Sequence, residues 1–338
     1  MTILLDELVK DEKKIDRSLY SSGPYWNYKN KKTLSEIKKK GLKDFRGISS
    51  GIGTSYADNV VLDIRNEFNI KGRIVGKIFS LPMLNTIFSS QIKLTKNYIE
   101  SYIRNQSIVY QNNENVKNLI KKYKFYNTTD FGCFQKFKNL NTEYSCHYLK
   151  MADRIDKLSN IFNFKEINSF FEIGGGFGAN IHFLITNFSN IKKILYLDVV
   201  PNIFVGTEYL RYFFKDNVKD YLQLKDLNNI KFSNNNELEI LCIPPWLLEK
   251  VDTKIDHFHN ASSFVEMPKH VVQNYVKFVK KFQTKEISLI SYDSFDLKTT
   301  LNPEKLNEFF NEKLKISWKD FLIKEYEMKE IYLTFKNL

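Results

Sequence analysis

The sequence predicts an α/β fold, in which a doubly wound, mostly parallel seven-stranded sheet follows a helical N-terminal region. Short apolar runs alternate with helical patterns after residue 165, which is typical of a parallel sheet covered by helices on both faces. Two strand-like runs end the chain without a good helix between them, and they predict an antiparallel hairpin at one edge. Before residue 165 most segments have helical periodicity, for example residues 90–107 and 143–162.

These patterns divide the 338 residues into two predicted domains. Residues 1–165 form a mainly helical region that caps the site and binds the substrate, and residues 166–338 form the ligand-binding α/β domain. The predicted strands of that domain are residues 169–173, 194–200, 238–243, 255–259, 287–292, 316–323 and 329–335.

Composition narrows the class of protein. Hydrophobic residues make up 43% of the chain and charged residues 27%, a globular balance, and no apolar run has the length of a membrane span. The three cysteines are scattered, which is typical of free thiols in a reducing compartment. The net charge of +12 is spread along the chain without a nucleic-acid-binding motif. We therefore predict a soluble cytoplasmic protein with no nucleic-acid partner.

The glycine-rich segment after the first strand of the α/β domain gives the most information about a ligand. Glu172 lies near the end of this strand, and Gly174, Gly175, Gly176 and Gly178 follow before a helical pattern. Glycines there let the chain turn sharply and let a ligand approach the main chain. In an open α/β sheet, ligands bind at the carboxyl ends of the strands. The segment therefore predicts a site for a nucleotide-like cofactor.

Two cofactors fit this spacing. Gly174, Gly176 and Ala179 match the dinucleotide pattern G-x-G-x-x-G/A, whereas Glu172 followed by alternate glycines is typical of S-adenosylmethionine enzymes. A carboxylate beside a diphosphate is unfavourable, but it suits a ligand that carries a sulfonium and an ammonium group. Asp198 ends the next strand, where its carboxylate can bind two ribose hydroxyls. We predict S-adenosyl-L-methionine, with an NAD-dependent sugar oxidoreductase or epimerase as the alternative.

Candidate catalytic residues lie on and after the fourth predicted strand. His257 and His259 share one face of it because side chains alternate, and histidine is the usual base for removing a hydroxyl proton near neutral pH. His259 lies nearer the carboxyl end and is the preferred base, while His257 is expected to be buried. Glu266 in the next loop is a second candidate base or a helix cap. Ordinary packing of both histidines is the alternative interpretation.

Two further residues are predicted to bind the cofactor. Asn260 ends the fourth strand, beside the expected position of the transferred methyl group. Trp246 follows two prolines after the third strand and either stacks on adenine or sugar or packs at the strand end. Ile243 stands where amino-methylating nucleic-acid enzymes carry a polar residue, which argues against that activity. Asp256 faces away from the histidines, so no metal site is predicted.

The runs FFEIGGGFGANIHFL, LYLDVVPN and HNASSFVEMP resemble the bacterial group of sugar O-methyltransferases, which are class I S-adenosylmethionine-dependent methyltransferases with a Rossmann-like sheet. Residues 24–46 also resemble the opening of that group, so the similarity extends from about Trp26 to the last strand. It implies methyl transfer to a hydroxyl of a sugar, either a sugar nucleotide or a polymer, in the biosynthesis of a surface polysaccharide such as capsule or lipopolysaccharide. The resemblance carries over no catalytic base.

Overall fold

The computed structural model describes residues 2–43, 45–46, 114–133, 136–292, 306–310, 314–319 and 329–336. The chain divides into two compact units, one formed by Met1–Lys43 with Lys150–Leu338 and the other by Asp44–Leu149. The predicted domain boundary after residue 165 stays a prediction, and the compact units follow a different division. The predicted helix at residues 90–107 lies outside the described residues.

Helices and one small hairpin make up the described part of the chain before residue 160. A helix predicted at residues 143–162 begins later than expected, because the residues before it pair as an antiparallel hairpin around Leu140 and Asn141, which have φ values of 47° and 62°. The elements are α1 (Ile3–Glu12), α2 (Arg17–Tyr20), α3 (Gly23–Lys40), α4 (Glu114–Lys122), β1 (Phe137–Asn139), β2 (Thr142–Tyr144) and α5 (Cys146–Ser159).

Strands and helices alternate in the remainder of the chain. Short 3-10 turns also follow β6 at Pro245–Lys250 and β7 at Ser263–Glu266. The elements are β3 (Ser169–Ile173), α6 (Ala179–Asn187), β4 (Lys193–Leu197), α7 (Asn202–Phe214), β5 (Val218–Lys219), α8 (Tyr221–Leu224), β6 (Glu239–Ile243), β7 (His257–Ala261), α9 (Lys269–Lys281), β8 (Glu286–Tyr292), α10 (Leu306–Phe310), β9 (Leu314–Lys319) and β10 (Lys329–Lys336).

The large sheet has the strand order β5-β6-β4-β3-β7-β8-β10-β9. Its strands are parallel from β5 to β8, whereas β10 runs antiparallel to both β8 and β9. The predicted mostly parallel, Rossmann-like sheet with an antiparallel hairpin at one edge is therefore confirmed. The sheet has one strand more than the seven predicted, because the two-residue strand β5 adds the opposite edge.

The central strands form the core. Every residue of β3, β4 and β6 is buried, which explains why these strands are apolar runs without alternation. Helix α9 buries one apolar face, which includes Val272, Tyr275 and Val279. Strand β7 begins two residues later than predicted, so His259 lies in the middle of this strand. Among the described residues, no helix combines the length and the apolar character that crossing a bilayer requires.

The N-terminal helices pack on loops at the carboxyl end of the sheet. The Tyr20 hydroxyl donates to Glu249 at 2.7 Å, in the turn after β6. The Trp26 indole Nε1–H donates to Glu266 at 2.6 Å, in the turn after β7. Residues 2–43 therefore contact the two loops in which Trp246 and Glu266 were predicted to meet a ligand.

Candidate active site

The glycine loop joins β3 to α6. Gly174, Gly176 and Gly178 have φ values of 75°, 63° and 87°, a region that favours glycine. A Cβ atom on Gly174 would collide with the Ser263 side chain, and one on Gly175 would lie 2.7 Å from a ring carbon of Tyr196. The local fold alone therefore requires these glycines, and evidence for a ligand must come from the polar groups around them.

Glu172 lies directly beneath this loop and is 3% exposed. Asn180, on the first turn of α6, donates to Oε1 of Glu172 at 2.9 Å. Oε2 is buried and accepts from no residue that the structure describes, and a Cβ on Gly175 would come within 2.8 Å of it. Burial raises the pKa of Glu172 to about 8, an effect that the Asn180 bond opposes and the nearby Asp198 increases. None of the described residues donates to this carboxylate oxygen, and a ligand or a water can supply the missing donor.

Asp198 follows β4 and holds the glycine loop from the neighbouring strand. Its Oδ2 accepts the Gly176 N–H at 2.8 Å, and its Oδ1 accepts the Val199 N–H at 2.7 Å. The Tyr196 hydroxyl donates to the Gly176 carbonyl at 2.6 Å. Burial raises the pKa of Asp198 to about 7, although both backbone hydrogen bonds lower it. The Asn202 side chain also donates to this carboxylate, so one of its roughly four lone pairs stays available to a further donor.

Asn260 links the end of β3 to the turn after β7. Its amide nitrogen donates to the Ile173 carbonyl at 2.9 Å and to Ser263 Oγ, and its carbonyl oxygen accepts the Phe264 N–H at 3.1 Å. These bonds use both amide hydrogens. Asn260 thus orders the backbone beside Gly174, and direct cofactor binding by this residue stays a prediction.

His257 and His259 point to the same side of the sheet and share one partner, Ser288. The Oγ atom of Ser288 lies 2.7 Å from Nε2 of His257 and 2.7 Å from Nδ1 of His259. His257 is fully buried, and its ring stacks on Phe170 at 5.3 Å. Burial lowers the pKa of both histidines, that of His259 to well below its ordinary value. Both rings are therefore neutral at pH 7.

Glu266 belongs electrostatically to the same site as Asp198. Its charge raises the pKa of Asp198, so the two carboxyl groups lie within interaction range. Burial raises the pKa of Glu266 itself to about 7, and the Trp26 hydrogen bond and the Lys29 charge lower it. A carboxyl group with a pKa near the working pH is suited to accepting a proton from a substrate.

Trp246 contacts a different group of residues. Its Nε1–H donates to the Tyr221 hydroxyl at 3.4 Å, and the two rings meet edge to face at 5.9 Å. The Tyr221 hydroxyl in turn donates to Asp11 of α1 at 2.8 Å. Trp246 therefore packs against Tyr221 of α8, and its predicted stacking on a cofactor stays a prediction.

The structure brings the predicted residues Glu172, Asp198 and Asn260 together around the glycine loop. Sequence reasoning missed several side chains that hold them. Asn180 and Ser263 had a usable signal, since each is a polar residue within a few positions of the loop or of Asn260. The partners distant in sequence had none, because their proximity depends on sheet register and on packing of the N-terminal helices. The missed residues are Trp26, Asn180, Tyr196, Ser263 and Ser288.

No protein-family model matches the sequence, and none of the curated proteins matches it. Solved structures with detectable similarity include magnesium protoporphyrin IX methyltransferase from Synechocystis PCC 6803 with bound SAM, at 8% identity and a TM-score of 0.35 over 55% of this chain and 77% of that one. A SAM-dependent methyltransferase from Aquifex aeolicus is 15% identical, with a TM-score of 0.32 over 53% of this chain and 88% of that one. Mitomycin 7-O-methyltransferase is 8% identical, with a TM-score of 0.35 over 56% and 57% of the two chains. Similarities this low support no inference about activity or ligand.

Proposed function

We propose that this protein is an S-adenosyl-L-methionine-dependent O-methyltransferase that acts on a sugar hydroxyl. The observation that carries the proposal is the buried Glu172, whose Oε2 lies beneath the glycine loop and has no hydrogen-bond partner among the described residues. A cationic ligand would supply the missing donor and the missing positive charge together. S-adenosylmethionine carries both an ammonium and a sulfonium group, and the carboxyl ends of β3 and β4 are where an open α/β sheet binds ligands.

The backbone of the glycine loop argues against a dinucleotide. A diphosphate is normally bound by free N–H groups at such a loop. Here the N–H groups of Gly174, Gly176 and Gly178 donate to Leu197, Asp198 and Gly175 at 2.8, 2.8 and 3.0 Å. With Glu172 and Asp198 beside them, a diphosphate would meet negative charge and few donors. The NAD-dependent oxidoreductase or epimerase is therefore the weaker candidate.

The chain's own residues suggest a division of roles. Glu172 would accept the cofactor's ammonium group, and Asp198 would accept a ribose hydroxyl through the lone pair that Gly176, Val199 and Asn202 leave unused. The bound cofactor supplies an electrophilic methyl group. Glu266 and His259 are the candidate acceptors for the hydroxyl proton. The neutral His259 ring keeps a lone pair on Nε2, and Glu266, with a pKa of about 7, is partly ionised at neutral pH.

The sugar acceptor rests on the resemblance of the HNASSFVEMP segment and on the chemistry beside it. Trp26 donates to Glu266 at 2.6 Å, and Lys29 lies 5.5 Å from the centre of the Trp26 ring. An aromatic ring next to a carboxyl group is a combination suited to a sugar, which offers apolar C–H faces and hydroxyl donors. We propose a sugar or sugar nucleotide of surface polysaccharide biosynthesis as the acceptor and the cytoplasm as the location.

Isothermal titration calorimetry with S-adenosylhomocysteine tests the cofactor first, with NAD as the competing ligand. We expect micromolar binding of S-adenosylhomocysteine and none of NAD. Transfer of a labelled methyl group to a panel of nucleotide sugars then tests the acceptor. Tight NAD binding, or no binding of S-adenosylhomocysteine at millimolar concentration, would reject the proposed cofactor. Cofactor binding with labelling of RNA or protein alone would reject the sugar.

A further inference from the structure

A continuous row of polar side chains crosses one face of the sheet. The strand register places Glu172 of β3 beside His259 of β7, His259 beside Ser288 of β8, and Ser288 beside Thr334 of β10. His257 lies two residues before His259 on the same face, beside Glu286. The candidate base His259 is thus one strand away from the carboxylate beneath the glycine loop.

Hydrogen bonds join part of this row into a chain that leads towards solvent. Nδ1 of His259 lies 2.7 Å from Ser288 Oγ, which lies 2.7 Å from Nε2 of His257. Nδ1 of His257 lies 3.4 Å from Oε2 of Glu286. The Glu286 side chain is 22% exposed, whereas Ser288 and His257 are completely buried. The aromatic rings of Phe162, Phe164 and Phe170 surround His257.

Only one arrangement of protons satisfies every link of this chain. The carboxylate of Glu286 can only accept, so Nδ1 of His257 must donate to it and Nε2 of the neutral ring must accept. The hydroxyl of Ser288 then donates to His257 and accepts from the other side, which requires a proton on Nδ1 of His259. The opposite arrangement would turn the Nδ1 lone pair of His257 towards a carboxylate oxygen. Burial lowers the pKa of His257, which keeps this ring neutral as the argument requires.

We propose that Ser288, His257 and Glu286 are positioning residues that hold His259 as its Nδ1–H tautomer, with the Nε2 lone pair available to a substrate hydroxyl. In the part of the chain that the structure describes, Nε2 of His259 has no hydrogen-bond partner, and it is not one of the unpartnered polar atoms that are sealed from solvent. The tautomer itself is independent of the proposed function, whereas its use in methyl transfer rests on that function.

The proposed tautomer also gives a step that balances. As the acceptor oxygen formed its bond to the methyl carbon, the carbon–sulfur bond of the bound cofactor would break with its electron pair on sulfur, and the hydroxyl proton would pass to Nε2 of His259. The Nδ1 proton would stay on His259 and donate to Ser288 throughout. His259 would return to its neutral Nδ1–H form by releasing the Nε2 proton to water as the product leaves, so charge and atoms balance and the chain is unchanged for the next turnover.

Several charged groups face the chain and set its electrostatic surroundings. Arg154 of α5 lowers the pKa of His259, and Lys336 of β10 lowers that of His257. Asp256, before β7, raises the pKa of His257 and is itself paired with Lys285 at 2.7 Å. Cations thus approach from two sides and oppose protonation of either ring.

Nitrogen-15 NMR of selectively labelled histidines in the full chain tests the tautomers directly, without cofactor or substrate. The chain has five histidines, so the spectrum can be assigned with single His→Gln variants. We expect a protonated Nδ1 and an unprotonated Nε2 for both His257 and His259. A protonated Nε2 on His259 in the wild-type protein would overturn the proposal without any variant of the chain.

Variants of the middle link add a second, independent test. Ser288→Ala should convert His259 to the Nε2–H form that an unconstrained neutral imidazole prefers, while Glu286 keeps His257 unchanged. Ser288→Thr should restore the wild-type form of His259. Thr334→Val is the matched control, because it removes a buried hydroxyl beside Ser288 that has no partner and lies outside the chain. An unchanged His259 in folded Ser288→Ala, or the same change in Thr334→Val, would contradict the proposal.

Kinetics separate this proposal from the proposed function. If His259 accepts the substrate proton, Ser288→Ala should lower kcat by about tenfold to a hundredfold and leave the Kd of S-adenosylhomocysteine unchanged, since general bases typically contribute about 10²–10⁴. If His259 is the Nδ1–H tautomer but no methyl transfer is detected, the positioning chain stands and the proposed function is rejected. Methyl transfer with His259 in the Nε2–H form would reject the positioning chain alone.

Discussion

Two buried glutamates on one face of the sheet differ in how far their charge is compensated. Glu330 on β10 and Glu172 on β3 are each 3% exposed. Glu330 accepts from Arg154 Nη2 at 2.6 Å and from the Tyr332 hydroxyl at 2.8 Å, and Lys150 Nζ lies 3.2 Å away. Every oxygen of Glu330 therefore has a donor, and two cations balance the charge.

Glu172 has a single neutral donor, Asn180, and one oxygen with none. The pKa values of Glu172 and Glu330 differ accordingly. The Arg154 and Lys150 charges hold the pKa of Glu330 well below its ordinary value despite burial, whereas burial raises the pKa of Glu172 to about 8. Complete compensation is what a structural ion pair requires, and a buried carboxyl group left incomplete in a cleft is typical of a functional site.

Removing the charge of the compensated glutamate should cost the most stability. Glu330→Gln removes the negative charge beside the buried Arg154 and the partly exposed Lys150, and breaking a buried pair in this way typically costs about 3–5 kcal/mol. We expect a loss of that size in the free energy of unfolding, measured by urea denaturation at pH 7. Cofactor affinity, where measurable in the folded variant, should be affected only slightly.

An exposed ion pair is the matched control for this prediction. Asp252 pairs with Lys231 at 3.1 Å, but both side chains are more than half exposed. Asp252→Asn should therefore leave the urea midpoint unchanged, because water already screens the pair. If Glu330→Gln destabilised the protein no more than Asp252→Asn, the distinction between the two buried glutamates would lose its basis.

The same substitution at the incomplete glutamate should have the opposite effect on stability. Because the folded-state pKa of Glu172 is raised from 4.5 to about 8, the stability due to its bound proton is present below pH 4.5 and is lost as the pH rises to about 8. Glu172→Gln imitates the protonated form at every pH. At pH 9 the ligand-free variant should be more stable than the wild type by on the order of a few kcal/mol, and at pH 4.5 equally stable.

Glu172→Gln should also weaken binding of the cofactor. Without the carboxylate, the affinity for S-adenosylhomocysteine should fall by roughly tenfold or more, since a hydrogen bond to a charged group contributes about 1.5–3 kcal/mol. Urea denaturation at pH 4.5 and pH 9 together with calorimetry measures both effects on one variant. Destabilisation at both pH values with unchanged binding would make Glu172 a structural residue like Glu330.

Local sequence patterns were sufficient to predict the fold. Apolar runs between helical patterns identify β3, β4, β6 and β8 to within one residue at their start, because strands buried on both faces need no alternation. Two short features escaped this reasoning. Strand β5 has only two residues, and the β1–β2 hairpin has three-residue strands with no glycine in the turn, so neither produces a periodic signal.

The candidate site could be predicted only in part, for a physical reason. Glu172 and Asp198 stand next to the glycine loop or at a strand end, where local order fixes their position. The contacts that distinguish Glu172 from Glu330, and those that join His259 to Ser288, depend on sheet register and on residues more than 25 positions apart. No pattern in the sequence indicates which buried glutamate has acquired an arginine.

Asp198 extends the comparison of Glu172 and Glu330 to a third buried carboxyl group, which is tested by cofactor binding. Asp198→Asn keeps an oxygen that can accept the Gly176 N–H, but it places an amide nitrogen opposite the Val199 N–H and removes the negative charge from the proposed ribose site. The affinity for S-adenosylhomocysteine should fall by about 1.5–3 kcal/mol, measured by calorimetry at pH 8, where the wild-type group is largely ionised. Asp198→Ala would also release the loop, so a much larger loss in that variant than in Asp198→Asn would separate loop positioning from ligand binding.

The smallest expected effect concerns Glu266. Its charge is compensated more than that of Glu172 and less than that of Glu330, because it has one strong neutral donor and one nearby cation. Trp26→Phe keeps an aromatic ring but removes the indole N–H that lowers the pKa of Glu266, which is about 7 in the wild type. We expect a cost of about 1 kcal/mol in unfolding free energy and an alkaline shift of the acidic limb in the pH profile of kcat. Trp246→Phe removes an equivalent N–H, one that donates to Tyr221 instead, so it is the matched control and should leave that limb in place. A shift in both variants, or in neither, would mean that Glu266 does not control the acidic limb, and His259 would remain the sole candidate for the base.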